Sequence, residues 1–390
     1  MMRAPAPVED ASSAQHQGAA PRSGVIDFTL HGFVGVRLVG ASPRDANDVS
    51  KQLGSIQGSL TRDPDIVVRF VDRLPASSDL QYLGLDDAGF DRDSFYVLRR
   101  DRSKRMRTRV ALEQVGGRCE IVCESGFGSV PLLIPIVNLT MLAQGLVPIH
   151  GSAFTYEETG VLVTGWAKGG KTEVLLGFMD RGARYIGDEW VYVDAEGKRL
   201  YGIPEPIRIW DWHLDDLAHY RRLIGNGTRA RMWLTRRAAH SRRALPDRLA
   251  STDGGQLVDR AIALVERQSS VRVAPERLFG RDSCVLEGPL DKVFFVVSHE
   301  SADVTVEPLG SDEVARRMIF SHQFERLELI AAYLQSRFAF PDRVNTLLEQ
   351  AREQEGVLLG QAFAGTDAYV VRHPFPAPIP ALVDAIRPLL

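Results

Sequence analysis

The chain has 390 residues, of which 44% are hydrophobic and 25% are charged, and its formal net charge is −3. This composition is typical of a globular protein with a full core, and the small net charge gives no indication of binding to nucleic acid or to an anionic membrane. No apolar run reaches the roughly 18 residues that a membrane helix needs, and no secretory signal is visible. We therefore expect a cytoplasmic protein with no membrane or nucleic-acid partner.

The N-terminal third is predicted to contain a tail and a small module. Residues 1–24 are rich in Ala, Pro, Ser and Gln, which favours disorder. Residues 25–130 combine strand-like segments with one capped helix, and we interpret them as a small N-terminal α/β module. Cys119 and Cys123 are predicted to be buried on one of its strands. The basic run at 99–109 is typical of a solvated hairpin, with a docking patch for an acidic partner as the alternative.

Residues 131–390 are predicted to form a second, mixed α/β domain. A helix at about 131–146 precedes two apolar strands that flank the turn YEETG. Further along, DKVFFVVSHE predicts a strand at 291–300, and the apolar periodicity predicts helices at 311–335 and 341–353. The two apolar strands lead directly into the most informative part of the sequence.

The segment GWAKGGKT, at 165–172, satisfies the pattern G-x-x-x-x-G-K-[ST]. A β-branched strand precedes it and an apolar helix follows, as a phosphate-binding loop requires. The glycines let backbone N–H groups turn toward an anion, and the helix N-terminus adds its positive end. We therefore predict a nucleotide site with ATP as the ligand and Mg²⁺ as the metal, in which Lys171 contacts the β/γ-phosphates and Thr172 binds the metal. The residues predicted to bind the nucleotide are Gly165, Lys168, Gly169, Gly170, Lys171, Thr172 and Glu173.

An acidic pair, Asp188 and Glu189, follows the loop after a single helix. The segment ARYIGDEWVYVD is predicted to be one strand that places this pair beside the loop, with an ordinary surface turn as the alternative. Two carboxylates beside a triphosphate can divide two tasks, since one can hold Mg²⁺ while the other accepts a proton. His150 lies on the preceding strand, and pairing through YEETG would bring it near the loop or near the carboxylates.

These motifs resemble those of HPr kinase/phosphorylase and its kinase-like relatives, a family that shares a P-loop fold with phosphoenolpyruvate carboxykinase. The resemblance covers residues 149–209 and rests on His150-Gly151, the loop at 165–172, Arg181-Gly182 and the acidic pair. It implies that Asp188 is the general base and that His150 assists it. It also implies that Lys171 and Thr172 hold phosphates and Mg²⁺, and that Glu189 joins the metal site.

The chain also departs from the family pattern. The family usually has Asp-Asp at the acidic pair, where this chain has Asp188-Glu189. HPr kinases carry a glycine-containing signature, roughly E-I-R-G-x-G, where this chain reads PEPIRIWDWHLDDLAHY. The resemblance therefore implies a phosphoryl-transfer core but not the HPr substrate.

Two further segments are open to alternative interpretations. In RIWDWHL, Trp210 and Trp212 lie close to Arg208, so the rings can stack on a nucleobase, line an acceptor pocket or pack in the core. Nine arginines between 221 and 248 favour an exposed helical face. The alternative is a mobile lid over the transferring phosphate, with Arg229 or Arg231 as the cation.

The sequence favours an ATP-dependent kinase that transfers the γ-phosphoryl group to a hydroxyl of a peptide or protein serine or of a small metabolite. The catalytic residues of this hypothesis are Asp188, His150 and Lys171, and its metal ligands are Thr172, Glu189 and Asp188. The alternative is a nucleotide-binding regulatory switch with little or no transfer activity. The acceptor, the choice between ATP and GTP, reversibility and homo-oligomer formation stay open.

Overall fold

The computed structural model describes residues 24–75, 79–84, 87–101, 104–243 and 269–390. Within these ranges, the side chains of 100, 101, 104 and 236–243 are not described. Except for its last residue, the predicted disordered tail lies outside the described residues, as does Arg248.

The first part of the chain forms an eight-stranded mixed sheet. Its order is β1-β2-β3-β8-β7-β6-β5-β4, with β2, β3 and β8 parallel and the remaining pairs antiparallel. The basic run at 99–109 falls on the β6–β7 hairpin, and Cys119 and Cys123 are buried on β8, as predicted. The strands are β1 (Val25–Leu30), β2 (Val34–Val39), β3 (Ile66–Val71), β4 (Gln81–Leu83), β5 (Ala88–Phe90), β6 (Phe95–Asp101), β7 (Lys104–Val110) and β8 (Cys119–Glu124).

Two helices accompany this sheet. Helix α1 (Pro43–Leu53) begins at a capping box, in which Ser42 and Asp45 each bond the other's backbone N–H, and it ends before Gly54, whose φ is +73°. Helix α2 (Leu133–Ala143) is buried on nearly all of its faces, as its almost continuous apolar sequence predicts.

The second sheet has nine strands and is also mixed. Its order is β16-β13-β12-β9-β10-β17-β19-β18, and β11 also pairs with β9. Strands β10, β17 and β19 are parallel at its centre, and β9 forms the predicted antiparallel hairpin with β10. Its strands are β9 (Val147–Tyr156), β10 (Thr159–Gly165), β11 (Arg184–Gly187), β12 (Trp190–Val193), β13 (Arg199–Gly202), β16 (Glu287–Pro289), β17 (Lys292–Ser298), β18 (Thr305–Pro308) and β19 (Asp367–His373). A separate antiparallel ribbon consists of β14 (Ile207–Trp210) and β15 (Ser270–Val273).

The remaining helices pack on the second sheet or join it to the first. They are α3 (Lys171–Met179), α4 (His213–Asp216), α5 (Asn226–Arg243), α6 (Pro275–Phe279), α7 (Ser311–Glu325), α8 (Leu327–Ala339), α9 (Thr346–Ala362) and α10 (Ile379–Ile386). Two helices were predicted at 311–335 and 341–353, but the structure has three in this part of the chain, α7, α8 and α9. The prediction was wrong at Arg326, where α7 ends and α8 begins, because this buried arginine turns inward to pair with Glu355 of α9.

The α/β class predicted from the sequence is confirmed by these two mixed sheets and their helices. One large hydrophobic cluster fills the space beneath the first sheet and extends through α2 to Leu329, Tyr333 and Leu348. Two further clusters lie on the second sheet, around α3 and around α7 and α9. In the described parts of the chain, no helix combines the length and the apolar character needed to span a bilayer.

Candidate functional site

The glycine loop, residues 165–172, connects the central strand β10 to helix α3. Gly165 has a φ of +147°, and a Cβ atom there would lie 2.5 Å from the carbonyl oxygen of Val296 on β17. Because other residues rarely adopt this conformation and have no room here, the first glycine of the pattern is required by the backbone itself. The strand, loop and helix thus have the arrangement that the sequence motif predicts.

The ring of His373, at the end of β19, contacts the backbone of the glycine loop. Its Nε2 lies 2.8 Å from the carbonyl oxygen of Gly169, and its Nδ1 lies 2.8 Å from that of Pro374. Both ring nitrogens therefore lie within hydrogen-bond distance of backbone carbonyl oxygens. Gly170 has a φ of +101°, and a Cβ there would come within 2.5 Å of the His373 ring. The histidine therefore shapes the part of the loop nearest to α3.

Lys171 is almost fully buried at the start of α3, and its Nζ donates to the carbonyl oxygen of Trp166 at 2.9 Å. Burial lowers its pKa, while the carboxylates of Glu189 and Asp188 oppose that shift. Its backbone carbonyl accepts a bond from Ser152 of β9 at 2.9 Å. The ammonium group is thus held inside the curve of the loop, close to two acidic side chains.

The acidic pair lies at a break between β11 and β12, so the prediction of one continuous strand was wrong. Both strands pair with β9, but the register shifts at Gly187, and Glu189 adopts a φ of +69°. Asp188 is 2% exposed, and both of its carboxylate oxygens lie near the hydroxyl of Thr172, at 3.2 and 3.1 Å. The break therefore brings one carboxylate against the last residue of the glycine loop.

The pKa values of the two carboxyl groups are shifted in opposite directions. Burial raises the pKa of Asp188, and the negative charge of Glu189 raises it further, against the hydrogen bond from Thr172. The hydrogen bond with His150 lowers the pKa of Glu189. The Glu189 side chain is 44% exposed, so solvent screens part of this attraction. Such a divergence between adjacent carboxyls is a feature of sites that divide acid–base roles.

His150 lies beside the carboxylates. The sequence allowed two positions for it, near the glycine loop or near the acidic pair. His150 faces Trp190 across the β9–β12 pair, and its Nε2 lies 3.3 Å from Glu189 Oε2. Its Nδ1 lies 3.0 Å from Glu325 Oε1, at ion-pair distance but without hydrogen-bond alignment. Burial alone would lower the pKa of His150, but Glu189 and Glu325 outweigh it and raise the pKa.

The other predicted residues occupy more varied positions. Lys168 is exposed on the loop, with a φ of +62°. Glu173 is paired with His213, whose Nε2 lies 3.0 Å from Glu173 Oε1. Arg229 bonds to Asn226 on α5, and among the described contacts neither Arg229 nor Arg231 reaches the glycine loop. The arginine lid stays a prediction.

The sequence did not indicate Glu325 or His373 as residues of this region, and it placed His213 in the candidate segment RIWDWHL without a role of its own. His373 is 204 positions from Gly169, and His213 is 40 positions from Glu173. The local sequences of Glu325 and His373 carry no recognisable motif, and only the packing of distant elements brings these two residues to the site. In the chain as described, no group of three or more His, Cys, Asp or Glu side chains is arranged to hold a metal by itself.

Comparisons with known proteins give little further information. No protein-family model and no curated protein matches the chain. Among solved structures, the HPr(Ser) kinase/phosphatase from Coxiella burnetii is similar over 62% of this chain and 95% of that one, with 11% sequence identity and a TM-score of 0.24. The functional argument therefore depends on the geometry of the site.

Proposed function

We propose that this protein is an ATP-dependent kinase that transfers the γ-phosphoryl group to a hydroxyl of a peptide or protein serine or of a small metabolite. The observation that carries the proposal is the contact between Asp188 and Thr172, at 3.1 Å, because it joins a buried carboxylate to the end of a G-x-x-x-x-G-K-T loop. A loop with this sequence binds phosphates, and a carboxylate beside it can act on the attacking hydroxyl.

The glycine loop supplies the phosphate-binding part of this function. Helix α3 begins at Lys171, so the positive end of its dipole lies at the loop, and the Lys171 ammonium group adds a charge there. We propose that ATP binds here with its β- and γ-phosphates against Lys171. The proposed core belongs with the P-loop folds of HPr kinase and phosphoenolpyruvate carboxykinase, a resemblance that rests on the sequence motifs.

The residues present fit a magnesium ion. Mg²⁺ binds oxygen ligands and usually takes one or two carboxylates together with water and substrate phosphates, so it needs no cage made wholly of protein. Thr172 and Asp188 already place a hydroxyl and a carboxylate within 3.2 Å of each other, with Glu189 next in the chain. When bound, Mg²⁺ neutralises charge on the β- and γ-phosphates.

Asp188 is the proposed general base. Burial raises the pKa of its carboxyl, which makes its carboxylate a stronger base than an exposed aspartate. In the transfer step, the acceptor oxygen attacks the γ-phosphorus, the bond to the ADP oxygen breaks, and the hydroxyl proton passes to Asp188. His150 lies against Glu189 and offsets the negative charge beside the base.

The proposal is tested by incubating the protein with Mg²⁺, γ-labelled ATP and pooled peptide and metabolite acceptors. We expect label on an acceptor with the wild-type protein and with Lys198→Ala, which removes an exposed lysine remote from the loop. Label should be absent with Lys171→Ala, which loses the phosphate contact, and with Asp188→Asn, which loses the base but retains an oxygen facing Thr172.

The same experiment separates the kinase from a nucleotide-binding switch. Tight ATP binding that is lost in Lys171→Ala, without transfer to any acceptor, would favour the switch. Transfer that persists in Asp188→Asn would contradict the assignment of the base. Equal ATP binding by the wild-type protein and Lys171→Ala would contradict the nucleotide site itself.

A further inference from the structure

Two segments outside the glycine loop are anchored to it by buried histidines. His213 of α4 lies 3.0 Å from Glu173 in the first turn of α3, and His373 lies 2.8 Å from the carbonyl oxygen of Gly169. Both histidines are fully buried. The segments are also joined to each other, because Ile379 N–H donates to the carboxylate of Asp216 at 3.1 Å. Their positions relative to the loop are therefore fixed.

Each anchored segment carries large aromatic side chains beside its histidine. Trp212 precedes His213, and Phe375 follows His373 by two residues, with the two rings 6.1 Å apart at 72°. Trp210 stacks on Trp212 with ring centroids 4.8 Å apart and an interplanar angle of 12°. We call Trp210, Trp212 and Phe375 the aromatic stack. Through His213 and His373 it is connected to helix α3 and to the glycine loop.

The aromatic stack is not part of the hydrophobic core. None of its three residues belongs to the core clusters of the described chain. Phe375 is 58% exposed, and both tryptophans are only partly buried. Core packing, one of the alternatives that the sequence left open, therefore does not explain these residues. The Arg208 guanidinium lies 5.5 Å from the ring centroid of Trp210, so the stack also has a cationic side.

Trp212 carries a second indication of a ligand. Its indole Nε1 is buried and has no hydrogen-bond partner within the described part of the chain. A buried donor left unpaired costs about 1–3 kcal/mol, so such a group is expected to meet an acceptor in the functional complex. A flat ligand with ring nitrogens would satisfy both the exposed aromatic surface and this donor.

We propose that the aromatic stack binds the purine base of the nucleotide whose phosphates lie in the glycine loop. This proposal rests on the proposed function, since it requires a nucleotide at the loop. The base is favoured over the acceptor because His373 ties the stack to Gly169 of the glycine loop and His213 ties it to Glu173, the first residue after that loop. No described hydrogen bond or ring contact joins the three rings to Asp188, where the acceptor hydroxyl would react; only Arg208, beside Trp210, reaches toward the acidic pair, where its charge helps to lower the pKa of Glu189. Stacking on aromatic rings accepts any purine, so the stack contributes affinity rather than a choice between ATP and GTP.

The test compares the Kd of MgATP with that of magnesium tripolyphosphate, which lacks the base, by isothermal titration calorimetry. Trp212→Leu removes both the ring and the donor, Trp212→Phe retains a ring, and Phe375→Ala changes an exposed position. Tyr82→Ala removes an exposed aromatic ring from the first sheet and serves as the matched control.

We expect Trp212→Leu to weaken MgATP binding about tenfold or more, with a smaller loss in Phe375→Ala and Trp212→Phe. Tripolyphosphate binding should be unchanged in all variants. Unchanged MgATP affinity in both Trp212→Leu and Phe375→Ala would overturn the base site, as would a higher KM for the acceptor without a change in the Kd of ATP. A wild-type protein that binds tripolyphosphate as tightly as ATP would overturn the base site alone, whereas one that binds neither would overturn the proposed function as well.

Discussion

At the scale of single residues, Asp188 is buried, although its proposed role as general base requires its carboxylate to be negatively charged. Its carboxyl is 2% exposed and lies beside Glu189, and both burial and this neighbour raise its pKa. A carboxyl whose pKa is higher in the folded chain binds its proton more tightly there. The free energy of unfolding therefore falls as the pH rises from the unfolded pKa, about 3.9, through the folded pKa.

We predict that Asp188→Asn raises the Tm of the protein while abolishing transfer. The gain should be largest above the raised pKa of Asp188, where the wild-type carboxylate is ionised, and should be small near pH 4, where the folded carboxyl is protonated. Thermal unfolding without Mg²⁺, measured from pH 4 to 8.5, tests this dependence. Asp342→Asn, at an exposed position, is the control and should show no such trend. A variant no more stable than the wild type at pH 8.5 would contradict the prediction.

At the scale of elements, the sequence predicted those parts of the site that depend on local patterns. The β9–β10 hairpin, the glycine loop and α3 follow from alternating apolar residues, turn residues and a contiguous motif. The break at Asp188-Glu189 could not be predicted, because it arises from a register shift against β9. The role of Glu325 could not be predicted either, because Glu325 contacts His150 only when α7 is packed on the second sheet.

The junction between α7 and α8 is a further feature that the sequence pattern could not predict. The apolar pattern from 311 to 335 runs through Arg326 without interruption, but the Arg326 guanidinium pairs with Glu355, 29 residues away. Glu355 is fully buried, and burial raises its pKa against the effect of Arg326. Glu325, which contacts His150, immediately precedes this arginine. The ion pair thus fixes the end of the helix that carries a residue of the candidate site.

We predict that Glu355→Ala lowers the free energy of unfolding by about 3–5 kcal/mol, because it leaves the Arg326 charge buried without its partner. Transfer activity should fall too, because the end of α7 positions Glu325. Urea unfolding measures the first effect, and Glu353→Ala, an exposed glutamate on the same helix, is the control. The double variant Arg326→Met/Glu355→Leu should recover most of the stability. A loss below about 1 kcal/mol in Glu355→Ala would show that solvent reaches the pair.

At the scale of the whole molecule, the two sheets share one hydrophobic cluster. It runs from the first sheet through α2 to Leu329 and Leu348 of α8 and α9. Contacts between the sheets add to it, since His31 Nε2 lies 2.8 Å from the carbonyl oxygen of Gly202. The division of the chain near residue 130 stays a prediction, but this shared cluster leads us to expect that both parts unfold together.

Asn345 provides a sharp test of that cooperativity. Its buried side chain donates to the carbonyl oxygens of Leu112 and Val115 at 2.9 Å each, and it caps α9 by accepting from Leu348 N–H at 3.0 Å. It therefore connects the end of the first sheet to a helix of the second. We predict that Asn345→Ala destabilises the protein by about 1–3 kcal/mol and shifts the entire unfolding transition.

Far-ultraviolet and near-ultraviolet circular dichroism during urea unfolding measure whether the shift is uniform. A single transition with coincident probes should move to lower urea in Asn345→Ala and stay in place in Asn47→Ala, which changes an exposed asparagine on α1. Two separate transitions, of which only one moves, would contradict the shared core. That result would instead support a boundary near residue 130, because it would show that the two parts of the chain unfold separately.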